Sequence, residues 1–470
     1  MKTLALAPFL FALTLVGCVS PPVFPPSPGP EPVPQAVIRV SAQGGNPTAL
    51  RQGFLHGLSN GRISARTTSH LNALRPGVWR VSNLFGTHDF VVEQNLRARF
   101  GTKVTFNLQD LFSSRFGNPV VVGPDCLDNQ PQHCFADYRS LRQEWSSFVD
   151  RFMLAAAERN GAGIDYFDIF SEPGSTLKGL NLEQIFDLLK VAHDTIRRHK
   201  PDALIVAPSI ERFDGPGLDA LFAFQLANGV RIDALSWHEL EGSPQDVPAH
   251  IATARQLIAR RFIDRPDLAP REIHVNEYGA PQNHLIPGWT VGWLAAFEAG
   301  GIDAANRACW PVSGGWTDCA NGLDGLLLED NDTPQPLLHL HRAWAELPRM
   351  RLVVQQAQPG LAVIAGRDQN HVALLVGRYG CGQNGKWCIG APQPVQDTPA
   401  APIDLRIEVT DLDRAANARV AIECYPNLAL AGGLAQPQTR PEIIVPVVAG
   451  RLNLMLASLA DGAACLVRIG

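Results

Sequence analysis

The stretch Ile164 to Pro173, IDYFDIFSEP, is a short apolar run that ends abruptly on a carboxylate followed by proline. A run of this kind, bounded by a turn signal, predicts a buried strand. A carboxylate at the carboxyl end of such a strand lies where a barrel or an open α/β sheet keeps its chemistry. Glu172 is therefore the first candidate catalytic residue. A second stretch of the same form, Glu272 to Pro281 (EIHVNEYGAP), carries Glu277, 105 residues further along the chain. Together they predict a pair of catalytic carboxylates on different strands of one barrel.

Around these two stretches, short apolar runs alternate with helical segments from Arg51 onward, the pattern of a parallel sheet with crossover helices. The predicted barrel strands are Gly53 to His56, Val78 to Ser82, Lys103 to Leu108, Tyr166 to Phe170, Leu204 to Ala207, Ala234 to Trp237, Ile273 to Asn276 and Ala308 to Trp310. Asn181 to Lys200 reads as a helix, with Ile185, Leu188, Leu189, Ala192 and Ile196 on one stripe and Asn181 with Gln184 as a capping box. A second helix, Tyr138 to Arg159, carries Phe148, Phe152 and Ala155 on one face and leads into the Glu172 strand. The fold class is α/β, a (β/α)8 TIM barrel over residues 51–347.

After the helix around Leu337 to Leu347 the chain turns β-rich. Leu352 to Ile364, Val372 to Val376, Ile403 to Val409, Ala418 to Glu423, Glu442 to Val447 and Leu452 to Leu456 predict a β-sandwich over residues 348–470. Ala36 to Ala42, in the segment 36–50, alternates like a strand and is expected to pair with this module rather than with the barrel.

The chain of 470 residues is long enough for a barrel and an accessory module. With 46% hydrophobic and 18% charged residues it excludes wholesale disorder, and a formal net charge of −5 gives no basic footprint for nucleic acid. Residues 1–18 read as a secretory signal: Lys2, an apolar Leu4 to Val16, then Gly17 and Cys18. Leu15-Val16-Gly17-Cys18 resembles the bacterial lipobox, which implies a lipid on Cys18 as a membrane anchor; an ordinary signal peptide is the competing reading. Residues 19–35 form a linker whose Ser20 to Gln35 holds eight prolines and is expected to be an extended spacer.

Of nine cysteines, eight remain once Cys18 is set aside. Six of them fall into three close sequential pairs, so in an exported protein the natural pairing is Cys126 with Cys134, Cys309 with Cys319, Cys381 with Cys388 and the remaining Cys424 with Cys465, although sequence alone leaves the connectivity open. None of the spacings matches a zinc site.

Phe170-Ser171-Glu172-Pro173 and His274-Val275-Asn276-Glu277-Tyr278 together resemble clan A of the glycoside hydrolases. Within the clan the chain is most similar to family thirty-nine, which holds β-xylosidases, α-L-iduronidases and bacterial exopolysaccharide hydrolases. The resemblance covers about Arg51 to Leu347 and the β-module. It implies a retaining cleavage of O-glycosidic bonds in an extracytoplasmic polysaccharide or oligosaccharide, with Glu172 as acid/base after strand four and Glu277 as nucleophile after strand seven. Such chemistry needs a proton on the leaving oxygen and a negative group facing the oxocarbenium, so one carboxyl is protonated while the other is ionised, and no cofactor or metal is implied.

The resemblance also assigns further positions. His238 matches a histidine near the nucleophile, against a core or surface histidine. Trp310 matches an aromatic floor for the sugar, against simple packing. Arg80 matches an arginine supporting the nucleophile, against a structural ion pair, and Tyr278 either donates to the nucleophile or walls the cleft. His56 and Asp110 also end strands, as sugar contacts or as packing and loop-capping residues.

Two departures bear on the substrate. Ser171 stands where the clan usually has an asparagine that bonds the sugar 2-hydroxyl, and Ser82 where the family more often has histidine. Glu239 and Glu241 are expected to add negative charge to the strand-six loop and to disfavour a strongly acidic sugar there unless a cation or Arg80 intervenes. Ser171 keeps open the alternative of a catalytically weak or inactive barrel serving as a carbohydrate-binding envelope lipoprotein. Both glutamates argue against it, because binding alone does not require the pair.

Overall fold

The computed structural model describes residues 36–58, 63–82, 96–116, 119–123, 134–158, 163–311, 317–356, 360–369, 371–379, 400–413, 417–427 and 436–470. The signal segment with Cys18, the proline-rich linker, and Cys126, Cys381 and Cys388 lie outside them.

Eight parallel strands close into a barrel: β1 (Arg51–Leu55), β2 (Val78–Val81), β3 (Lys103–Asn107), β4 (Tyr166–Asp168), β5 (Leu204–Ile210), β6 (Ala234–Glu239), β7 (Glu272–Tyr278) and β8 (Ala304–Arg307). β8 closes on β1, with Ala304 opposite Arg51 and Arg307 opposite Phe54. A helix follows each strand, among them Tyr138–Glu158 before β4 and Leu182–His199 after it. The latter starts on the predicted capping box, where the Asn181 side chain accepts from the Gln184 amide at 2.9 Å and Gln184 reciprocates at 3.0 Å. Its stripe of Ile185, Leu188, Leu189, Ala192 and Ile196 is buried against the barrel, so sequence period and tertiary contact agree.

The eighth strand is Ala304–Arg307, not the expected Ala308 to Trp310. Its second half is polar yet buried, which an apolar-run criterion passes over. Asn306 lies level with Gly53 on the side that faces the barrel interior. Arg307, on the other side, donates to the Asp324 carbonyl at 2.7 Å and to the His284 carbonyl. Trp310 therefore lies beyond the strand, in a segment tied back by the Cys309–Cys319 disulfide.

At the amino end of the barrel, Glu272 of β7 gathers Arg51 (2.6 Å), the Tyr166 hydroxyl (2.8 Å) and His274 Nε2 (2.8 Å). Burial pushes its carboxyl up, but the His274 and Arg51 contacts outweigh this and bring it down to about 2 from 4.5. The ionised form is thus the one that stabilises the fold. Its contribution is complete above the ordinary glutamate value and is lost as pH falls toward the folded value. Glu272→Gln is expected to cost about 2–3 kcal/mol at neutral pH, and the gap to wild type should narrow by pH 3. Equal gaps in thermal unfolding at the two pH values would refute the assignment.

The C-terminal module is a β-sandwich made by one sheet that folds over at Ile443–Val448, which pairs with Asn417–Tyr425 on one side and Arg451–Leu459 on the other. Ile403–Thr410 alternates buried and partly buried residues, putting Leu405, Ile407 and Val409 into the sandwich core with Leu374, Val376, Leu454 and Val467. Ala36–Ser41 runs parallel to Ile403–Thr410 and antiparallel to Val354–Gln356, so the N-terminal strand is part of this module. Cys424 and Cys465 are directly opposed on neighbouring strands and are bonded.

Helix Pro287–Gly300, which follows β7, seats the module on the barrel. Trp289, Val291, Trp293, Leu294 and Phe297 bury it on every side. Strands Leu361–Arg367 and Val372–Arg378 lie against it and are apolar on both faces, with Ile364 and Leu375 in the barrel core and Val363 and Leu374 in the sandwich core. The approach is close enough that a Cβ on Gly288 would lie 1.9 Å from the Arg378 carbonyl oxygen, so only glycine fits there.

Candidate active site

The carboxyl ends of β2, β4, β6 and β7 bring Arg80, Glu172, His238 and Glu277 to one mouth of the barrel. Glu172 follows β4 in the left-handed conformation, φ 52° and ψ 56°, immediately before Pro173. That conformation is costly for a non-glycine residue and more so before proline. It is held by the backbone: the Glu172 amide donates to the Ser209 carbonyl at 2.9 Å, and the Glu172 carbonyl accepts from the Thr176 amide (2.9 Å) and hydroxyl (2.6 Å). The strain turns the side chain out of the strand and into the cleft.

His238 is fully buried, with its Nδ1 3.0 Å from Glu172 Oε1 and its Nε2 3.8 Å from Glu277 Oε1. One oxygen of Glu172, one of Glu277 and a ring nitrogen of His238 all lie within 4.8 Å of one another. Arg80, buried on β2, donates to Glu277 Oε1 at 2.6 Å and to Asp168 Oδ2 at 2.8 Å. Both contacts to Glu277 use Oε1.

Burial pushes the Glu172 carboxyl up, but the hydrogen bond and charge of His238, together with the charge of Arg80, hold it below the ordinary glutamate range. Asp110, at the start of the helix after β3, is pushed up by burial and pulled further down by His56 and Arg80. His56 Nε2 sits 3.8 Å from Asp110 Oδ2, an ion-pair separation rather than a hydrogen bond. The two face each other across the mouth beside Arg80.

Other residues singled out in the sequence take different places. Among the described residues Ser171 is hydrogen-bonded through its main chain: Gln109 Nε2 and the Thr176 hydroxyl donate to its carbonyl at 2.9 and 2.8 Å, and its amide donates to Gln109 Oε1 at 3.1 Å. Trp310 is partly buried, and its indole N–H donates to the Gly279 carbonyl at 3.0 Å, tying it to the loop after β7. Asp318 clamps the same residue from behind, accepting from its amide and donating its own amide to the Trp310 carbonyl at 3.1 Å.

Tyr278 neither meets Glu277 nor walls the cleft. Strand alternation turns it to the opposite face, where its ring packs on Phe297 at 5.0 Å, and burial raises its hydroxyl above the ordinary range. The same alternation corrects the expectation for Glu239. It points away from the cleft and accepts from Trp237 Nε1 (2.7 Å) and faces His250 Nδ1 (2.8 Å). Glu241 is exposed at the rim, 3.3 Å from Arg212. Glu239 therefore adds no charge to the mouth, while Glu241 stands on the strand-six loop as expected.

Asp168, Asn107, Gln109 and Asn276 support the site and were not singled out in the sequence. One signal was available for Asp168: a charged residue inside an apolar strand must find partners in the core.

No family model matches the chain. A 117-residue part of it, 25% of the chain, is 27% identical to a 3-O-α-D-galactosyl-α-L-arabinofuranosidase from Bifidobacterium longum subsp. longum, of whose length it covers 10%. Solved structures match almost end to end. One from Neocallimastix frontalis is 17% identical with a TM-score of 0.67, covering 92% of this chain and 99% of that one. A GH39 enzyme from Xanthomonas axonopodis pv. citri is 14% identical with a TM-score of 0.61, over 93% of this chain and 97% of that one. A monomeric β-xylosidase from Caulobacter crescentus CB15 is 12% identical with a TM-score of 0.59, over 92% and 99%. At these identities the likeness is one of fold alone: a (β/α)8 barrel with a β-rich module.

Proposed function

We propose that the protein is a retaining glycoside hydrolase that cleaves O-glycosidic bonds of an extracytoplasmic polysaccharide or oligosaccharide. The observation that carries this reading is the approach of Glu172 and Glu277 within 4.8 Å, on either side of His238. Retaining enzymes hold their two carboxyls about 5–5.5 Å apart, and inverting ones about 6.5–9.5 Å, which leaves room for a water. The likeness in fold to a GH39 enzyme and a β-xylosidase supports the same class.

In the first step Glu172 gives its proton to the glycosidic oxygen while the free oxygen of Glu277 attacks the anomeric carbon, forming a glycosyl ester and releasing the aglycone. In the second, Glu172 takes a proton from water, and the water oxygen replaces Glu277 at the same carbon. Glu172 must be protonated first, although His238 and Arg80 hold it low in the free protein. A sugar covering the mouth excludes water and strengthens the burial that opposes this. Once Glu277 is esterified, an anion within 4.8 Å is gone, and ionised Glu172 becomes easier to hold for its role as base. Arg80 orients Glu277 through its 2.6 Å hydrogen bond, and the two carboxyls and water supply the protons and nucleophiles of both steps.

The first-formed anomer, read by proton NMR during hydrolysis of an aryl glycoside, should keep the substrate's configuration; an inverted product overturns the mechanism. A wild type that cleaves nothing in a broad glycan panel, yet is retained by one glycan on an affinity column, would point instead to a binding protein. The proposed location is the outer side of a bacterial membrane, periplasmic or cell-surface, with the linker as spacer. It stands or falls on whether the mature chain begins at an acylated Cys18.

A further inference from the structure

Asp168 lies wholly buried in the barrel, on the strand that leads to Glu172. Its Oδ2 accepts from Arg80 Nε (2.8 Å), Asn107 Nδ2 (3.2 Å) and Asn276 Nδ2 (3.0 Å), and its Oδ1 from the Ser209 hydroxyl (2.7 Å). These donors come from β2, β3, β7 and β5, and Asn276 directly precedes Glu277. Arg80 has one edge on Asp168 and its Nη1 on Glu277 at 2.6 Å, while its Nη2 reaches the Phe170 carbonyl at 3.4 Å. A guanidinium held on several sides has one orientation, and its charge is divided between two carboxylates.

We propose that Asp168 is a positioning residue which, by sharing Arg80 with Glu277, fixes the direction of the Glu277 carboxylate and sets the pH range in which it works. The proposal rests on Glu277 as nucleophile. With Asp168 neutral, Glu277 is the one carboxylate still hydrogen-bonded to Arg80 among the described residues and takes a larger share of its charge. The anion is then better stabilised, persists to lower pH and is a weaker nucleophile.

The other charged or titratable groups around Glu277 are Glu172 after β4, His238 of β6 and Asp324 after β8; Glu172 and Asp110 also feel Arg80, and a change at Glu172 reads out in the alkaline limb rather than the acid one. Asp168→Asn isolates the charge because the network accommodates an amide. The amide oxygen takes the place of Oδ2 and keeps its three donors. The amide nitrogen takes the place of Oδ1 and donates to Ser209 Oγ, whose own proton turns to Ser236 Oγ, 2.7 Å away.

The test compares pH profiles of kcat/KM on an aryl glycoside, each normalised to its own maximum, for wild type, Asp168→Asn, Asp168→Ser and Ser209→Ala. Both neutral variants should move the acid limb down by about one pH unit and lose roughly 10- to 100-fold in kcat with little change in KM. Ser209→Ala, which removes the hydroxyl's bonds to Asp168, Ser236 and Asn276 but keeps the Asp168 charge, should leave the limb in place. The serine variant serves should the asparagine one fold poorly. An unmoved limb in the neutral variants, or the same shift in Ser209→Ala, overturns the proposal. Full activity of Glu277→Ala would instead overturn the nucleophile assignment, so the two failures are distinguishable.

Discussion

Glu277→Ala is expected to lower turnover of any cleavable glycoside by about 10^4-fold or more, because it removes the group that bonds to the anomeric carbon. Arg80 would lose the partner it holds at 2.6 Å but keep Asp168, so the buried guanidinium stays paired and the fold should survive. Unfolding temperature is the control. Added azide fits the space left by the carboxylate and can attack the anomeric carbon from the same side. Rescue should therefore give a glycosyl azide of inverted configuration. A variant that turns over like wild type, or azide product of retained configuration, would remove Glu277 from its assigned role.

Glu172→Ala should behave differently, and the contrast separates the two carboxylates. Glycosides with poor leaving groups depend on proton donation and should lose about 10^2- to 10^4-fold. Activated aryl glycosides leave without a proton, so their first step should be nearly unimpaired and the glycosyl-enzyme should accumulate. Azide then attacks that ester, and its product should retain configuration. The alkaline limb of the pH profile should also disappear, since it reports loss of the Glu172 proton. Equal losses across all leaving groups would show that Glu172 is not the proton donor.

His238 links these two outcomes. It sits 3.0 Å from one carboxylate and 3.8 Å from the other, so it lowers the charge cost of bringing two carboxylates together before substrate arrives. The free state therefore favours ionised Glu172, and under the proposed mechanism a sugar covering the mouth would restore the acid.

Much of the architecture was legible in one dimension because its determinants are local. The stripe of Leu182–His199 and its capping box involve residues within a few turns of each other. The strand-end carboxylates Glu172 and Glu277 are each marked by an apolar run and a turn signal. The alternation in Ile403–Thr410 announces a half-buried sheet by itself. Where reading failed, the missing information was non-local. The eighth strand escaped because Asn306 and Arg307 are polar residues made acceptable by the barrel interior and by carbonyls of a later loop. Glu239 looked like a cleft carboxylate until the strand's orientation turned it to His250.

The chain by itself thus determined a parallel barrel, a β-rich module and two carboxylates placed at strand ends, since each follows from periodicity and turn chemistry over a few residues. Only the tertiary structure decided which side chains share the mouth. Barrel closure sets Arg80 against Glu277, 197 residues away, and Glu172 against His238, 66 residues away. It also makes Asp168, an unmarked residue of a buried strand, the point where four strands meet. Such pairings depend on strand register and on which face each residue takes, and neither is written in a segment alone.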